Sequence, residues 1–169
     1  MASSPTHPSI DPAIDAGFGP VAEFNRGRLR YGWDDPRSAE FADALDRVNA
    51  VAMRSPGFVW MLPEEEMDAV QRDPEGPLGG DNLTASTLSV WESVAHLRAF
   101  VFETVHARFM RRRDLWFEPH AGPSMVIWPV APGHRPSIAE AQARLDLLTA
   151  EGPSAEAFGW AETRPLQRQ

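Results

Sequence analysis

The stretch Leu88–Phe117, LSVWESVAHLRAFVFETVHARFMRRRDLWF, decides the fold of this 169-residue chain. It opens as a strand through Leu-Ser-Val-Trp and turns at Glu92-Ser93. A long apolar-periodic helix then runs from about Ser93 toward Phe117, with Thr104 as a break or second N-cap. One stripe of that helix holds Phe102, His106, Met110, Arg113 and Phe117. A strand feeding a helix of this length implies a sheet with helices packed on it.

Upstream, Val21–Leu29 alternates in part and reads as a first strand. Asp35-Pro36 is a helix-entry signal, with Asp35 the expected N-cap. Phe41, Leu45, Val48 and Ala52 recur at helical spacing between Ser38 and Arg54, and Ser55-Pro-Gly57 stops that helix. Phe58–Leu62 is a second strand and Leu83–Trp91 a third. Between them, residues 63–82 are expected to form an acidic Pro/Gly-rich loop, solvated or acting as a lid. Downstream, Ser124–Val130 is a fourth strand, apolar enough to be covered on both faces. A helix over 137–150 opens on Ser137 with Glu140 three residues later, a capping-box spacing.

The order β-α-β-β-α-β plus a C-terminal helix predicts a ferredoxin-like α+β fold: an antiparallel sheet with two helices on one face. The expected organisation is a flexible N-terminal tail over 1–20, a single domain over 21–160 and a C-terminal tail over 161–169. Phe24, Trp60, Val90, Trp91 and Trp128 make the strands too apolar to face water. A homodimer through the uncovered sheet face, enclosing a cavity, is therefore expected.

Composition narrows the chemistry. A formal net charge of −8 argues against a nucleic-acid partner, and no apolar run reaches membrane-spanning length. No basic segment precedes an apolar core at the N-terminus, so a cytoplasmic location is expected. The chain has no cysteine, and all 16 of its basic residues are arginine. That excludes thiolate nucleophiles, thiolate zinc sites, Schiff-base lysines and phosphate-loop lysines.

Histidine, asparagine and arginine remain as candidates. His106, among large apolar neighbours, suits a general base, an axial haem ligand, or a core histidine held by a backbone carbonyl. Asn25, beside Phe24, suits an amide that holds a substrate carbonyl or enolate oxygen, or a solvent-side edge residue. Neighbours on a helix diverge by about 100°, so Arg111, Arg112 and Arg113 cannot all point inward. Arg113 shares the stripe of His106, although a solvated helix end explains the run equally. Trp60, Trp91, Trp116 and Trp128, with Phe102 and Met110, are the expected lining of an apolar pocket, or core and interface. A metal site from His106, His134, His120 and Glu92 lacks any i, i+4 or HxH spacing.

Five segments carry a resemblance: Phe41–Asn49, Ser55–Trp60, Leu88–Ser93, His106–Arg113 and Pro132–Pro136. In this order they resemble the domain-of-unknown-function family numbered 3291 over about residues 21 to 160. That family looks like a branch of the dimeric α+β barrel superfamily, which includes antibiotic-biosynthesis monooxygenases, haem-degrading enzymes and aldoxime dehydratases. The resemblance implies the same fold and no agreed reaction. The acidic 63–82 segment is longer than the family pattern, and the N-terminal tail is extra.

The functional expectation is an enzyme without metal or organic cofactor, moving a proton on a hydrophobic enolisable small molecule. His106 would be the base, with Asn25 or Arg113 stabilising the oxyanion, and the outcome would be oxygenation, isomerisation or cyclisation. The alternatives are a haem protein ligated through His106 and a non-catalytic ligand-binding dimer.

Overall fold

The computed structural model describes residues 19–163. The expected tails, including His7, fall largely outside those residues. Four strands, β1 (Val21–Arg28), β2 (Phe58–Met61), β3 (Thr84–Trp91) and β4 (Met125–Pro129), form an antiparallel sheet in the order β2-β3-β1-β4. Five helices accompany them: α1 (Ala39–Arg54), α2 (Glu64–Arg72), α3 (Val94–Glu103), α4 (His106–Met110) and α5 (Ile138–Glu151). This is the ferredoxin-like order that the sequence predicts, with β1 and β3 at the centre.

Strand side chains alternate between faces, so each central strand feeds two cores. On one face Ala22, Phe24, Leu88, Val90, Val126 and Trp128 pack against Ile138, Ala141, Leu145 and Leu148 of α5, with Met67 of α2. On the other, Val21, Trp91 and Ile127 pack against Ala52 of α1 and against Val94, Leu97, Phe100 and Val101 of α3. The result is three layers, helices–sheet–helices.

That arrangement corrects the expectation of a bare sheet face. α5 folds back over the face carrying Phe24, Val90 and Trp128, which are 0–2% exposed within a single chain. Fully burying such a side chain contributes roughly 1.5–3 kcal/mol, and here the chain's own helices provide the burial. Burying Phe24, Val90 and Trp128 therefore needs no second subunit. Trp91 also differs from the expected grouping: its odd parity puts it on the α1/α3 face, opposite Trp60 and Trp128.

The segment 63–82 is not a plain loop. Its first half is α2, where three glutamates occupy the first turn beside the positive end of the helix dipole and Arg72 the last. Met67 and Gln71, four residues apart, are its buried side. The long helix expected over 93–117 is interrupted at Thr104, the residue singled out as a break. Its hydroxyl donates to Phe100 O (2.6 Å) and accepts from His106 N (3.3 Å), ending α3 and starting α4. Asp35 does not cap α1. Its carboxylate accepts from Arg37 N and Nε, both at 2.9 Å, and the helix begins four residues later. Ser137 caps α5, accepting from Glu140 N at 3.1 Å, but the Glu140 side chain does not return the bond. It accepts from Trp128 Nε1 (3.1 Å) and lies 2.8 Å from His134 Nε2 instead. Among the described residues no helix is long and apolar enough to cross a membrane.

Candidate functional site

The helix-covered face of the sheet, beneath α1, α3 and α4, carries an unusual row of polar groups. On β1, Val21, Glu23, Asn25 and Gly27 point the same way, and the antiparallel register sets Glu23 opposite Ser89 and Asn25 opposite Thr87. The Asn25 amide nitrogen donates to Glu23 Oε1 (2.8 Å) and to Thr87 Oγ1 (2.7 Å), which uses both of its N–H groups. Ser89 Oγ lies 3.5 Å from Glu23 Oε2 and accepts from Trp91 Nε1 at 3.0 Å. The row runs Thr87–Asn25–Glu23–Ser89–Trp91 through the centre of the sheet.

Glu23 is the exceptional member. It is 8% exposed and has no cation in its hydrogen-bond set. Burial disfavours its charged form and pushes the carboxyl from 4.5 up to about 7, against the opposing pull of the Asn25 and Ser89 donors. A carboxyl in that range exists as both acid and base near neutral pH.

Aromatic groups stand at each end of the row. At one end Phe58 meets Trp91 edge-on (5.5 Å) and Phe100 stacks on Trp91 (5.1 Å, 19°). At the other, Phe117 lies against Gly27, so closely that a Cβ there would fall 2.5 Å from its ring. Phe117 meets Phe41 edge-on at 5.0 Å, and Phe41 leads to Trp116 at 5.9 Å. α4 spans the two ends: its His106 touches Phe100 (5.1 Å) and its Phe109 touches Trp116 (5.9 Å).

The residues singled out from sequence divide accordingly. Asn25 belongs to the row, but as a donor to Glu23 rather than as a free amide. His106 is joined to it through Phe100 and Trp91. Its ring is largely buried, which holds it below the ordinary histidine pKa, and Nδ1 lies 3.3 Å from Val101 O. Met110 packs against the same core as Trp91. Trp116 is buried at the far end, 2% exposed. Arg113 does not share a helical stripe with His106, because α4 ends at Met110 and Arg113 opens a separate turn, Arg113–Leu115. Phe102 is 45% exposed beside Trp160. Trp60 and Trp128 lie across the sheet, where Arg135 sits over the Trp60 ring at 5.9 Å.

Glu23 was missed in the sequence, although its signal was present. The alternation that pairs Ala22 with Phe24 on one face must pair Glu23 with Asn25 on the other, and Ser89 with Trp91 likewise. A glutamate amid central-strand residues is a costly placement that calls for a reason.

The His106 ring lies against Phe100, itself stacked on Trp91, and its Nδ1 is 3.3 Å from Val101 O, the arrangement of a core histidine held by a backbone carbonyl. Among the described residues no three or more His, Cys, Asp or Glu side chains converge to hold a metal ion. His134 instead bonds Glu140, and His120 is exposed with Nδ1 3.3 Å from Gly122 O.

Two solved structures resemble the fold at low identity. SnoaB from Streptomyces nogalater, a cofactor-independent oxygenase, gives a TM-score of 0.44 at 16% identity, covering 67% of this chain and 94% of that one. NE2512, a protein of unknown function from Nitrosomonas europaea, gives 0.45 at 15%, covering 71% and 97%. No curated protein matches the sequence. The family model for the domain of unknown function DUF3291 matches residues 20–169, and the chain belongs to that family.

Proposed function

We propose that the chain is a small-molecule enzyme in which Glu23 moves a proton, without metal or organic cofactor, on a hydrophobic substrate able to enolise. The observation that carries this reading is a carboxyl set in the middle of a helix-covered sheet face and held at a pKa of about 7. A general base works best when its pKa is near the operating pH, and burial is the usual means of raising a carboxyl there. Asn25 is a positioning residue that fixes Oε1, while Oε2 meets only the long 3.5 Å contact from Ser89 Oγ. Thr87 accepts from Asn25 and retains its own hydroxyl hydrogen, a donor for a developing enolate oxygen. The aromatic groups at either end of the row offer apolar surface to a ring. From the enolate, return of the proton to another atom gives isomerisation or ring closure, and reaction with dioxygen gives oxygenation. Both start from the same step.

Exchange of the α-protons of 2-tetralone in D2O, followed by proton NMR, tests this reading directly. The parent chain is expected to accelerate exchange, with the rate rising as pH passes about 7 and the base form accumulates. Glu23→Gln keeps the length and can keep the bond from Asn25, and it is expected to lose roughly 10²–10⁴-fold. Equal acceleration by the variant, or none by the parent, overturns the assignment.

A further inference from the structure

On the outer side of the helical layer, α1 and α4 part to leave a half-open groove of about 430 Å³. α1 contributes Glu40, Asp43 and Arg47; α4 and the turn after it contribute Arg108, Phe109 and Arg112. The charges are not equivalent. Arg112 makes a two-pronged ion pair with Glu40 (Nη2···Oε2 2.9 Å), and its guanidinium also lies 5.4 Å from the Trp116 ring. That pair is locally neutral and closes one side of the groove. Arg47 and Arg108 are exposed, and among the described residues neither guanidinium has an ion pair or a hydrogen bond. Two unengaged guanidiniums against one carboxylate, Asp43, leave an excess positive charge, in a chain whose formal net charge is −8. The remaining wall is apolar: the half-buried Phe109, backed by Trp116 at 5.9 Å, and Ala44.

We propose that this groove binds a small aromatic monocarboxylate, its carboxylate on Arg47 and Arg108 and its ring on Phe109. Guanidinium groups match a carboxylate with paired N–H donors, and charge-assisted bonds of this kind are about twice as strong as neutral ones. One anionic group satisfies the excess charge, whereas a dianion meets Asp43. The volume falls within the range of small-molecule sites and holds one or two fused rings. The site is separate from the Glu23 row and does not depend on what Glu23 does.

Titration calorimetry at low ionic strength with 2-naphthoate tests this, alongside 2-naphthalenemethanol as the neutral analogue and inorganic phosphate as the ringless anion. The parent chain is expected to bind naphthoate, to bind the alcohol at least about tenfold more weakly, and to bind phosphate weakly. Both arginines are surface residues, so Arg47→Gln/Arg108→Gln is expected to fold normally and to lose roughly tenfold or more in naphthoate affinity. Asp43→Asn removes the opposing charge and is expected to tighten binding a few-fold. Glu23→Gln is expected to leave it unchanged, which separates failure here from failure of the proton-transfer reading. Undiminished binding in the double arginine variant, equal affinity for the alcohol, phosphate binding as tight as naphthoate, or no naphthoate binding at millimolar concentration would each overturn the proposal.

Discussion

Replacing Glu23 by glutamine should abolish a specific part of the chain's pH-dependent stability. The folded carboxyl ionises at about 7 and the ordinary one at 4.5, so folding tightens its hold on the proton. The associated stability is fully present below pH 4.5, declines as the unfolded carboxylate ionises, and is gone once pH has passed about 7. At 1.36 kcal/mol for each tenfold change in acidity, the difference amounts to about 3 kcal/mol. Glutamine is close in shape to the protonated acid and never ionises. The parent should therefore lose about 3 kcal/mol relative to the variant between pH 4.5 and pH 8. With a urea dependence of roughly 2 kcal/mol per M, the two unfolding midpoints should draw apart by about 1.5 M across that range. Urea titrations at pH 5, 6, 7 and 8, read by far-UV circular dichroism, give the curve. Midpoints that shift in parallel at every pH would refute the argument, because they would mean that Glu23 ionises in the folded chain as it does in water.

Two further substitutions probe how the row is framed. Gly27→Ala places a methyl 2.5 Å from the Phe117 ring, so the ring must move, and a loss of about 1–3 kcal/mol is expected in urea unfolding, with a change in the near-UV aromatic signal. Unchanged stability and spectrum would mean that Phe117 does not seal that end. Ser137→Ala removes the acceptor for Glu140 N and is expected to lower stability by about 1 kcal/mol without altering proton exchange on 2-tetralone, since α5 lies on the opposite sheet face.

The strands were legible because alternation survives in the residues themselves: Ala22 and Phe24 against Glu23 and Asn25, Leu88 and Val90 against Ser89 and Trp91. Thr104 was legible as a break because a hydroxyl at that spacing competes for helix carbonyls. α2 was not, since proline and three glutamates at 63–66 read as solvated loop, although acidic residues in a first turn followed by Met67, Val70 and Gln71 also describe a short amphipathic helix. The fate of the second sheet face was hidden for a different reason. Whether α5 returns over the sheet depends on the turn before it and on Trp128 finding Glu140, a tertiary contact that periodicity does not encode. For the site, a histidine among apolar neighbours stands out in the sequence, whereas Glu23, Asn25, Thr87 and Ser89 come together only through the strand register.

β1 is hydrogen-bonded to β3 on one side and to β4 on the other, and it carries Glu23 midway along. A residue so placed does not feel fraying at an edge strand; it is reached only from the sheet face covered by α1 and α3, where it is 8% exposed. Its acidity is thus a gauge of the integrity of the whole sheet. A distant core substitution that loosens the layers should announce itself as a carboxyl drifting back toward its aqueous value, well before the chain unfolds.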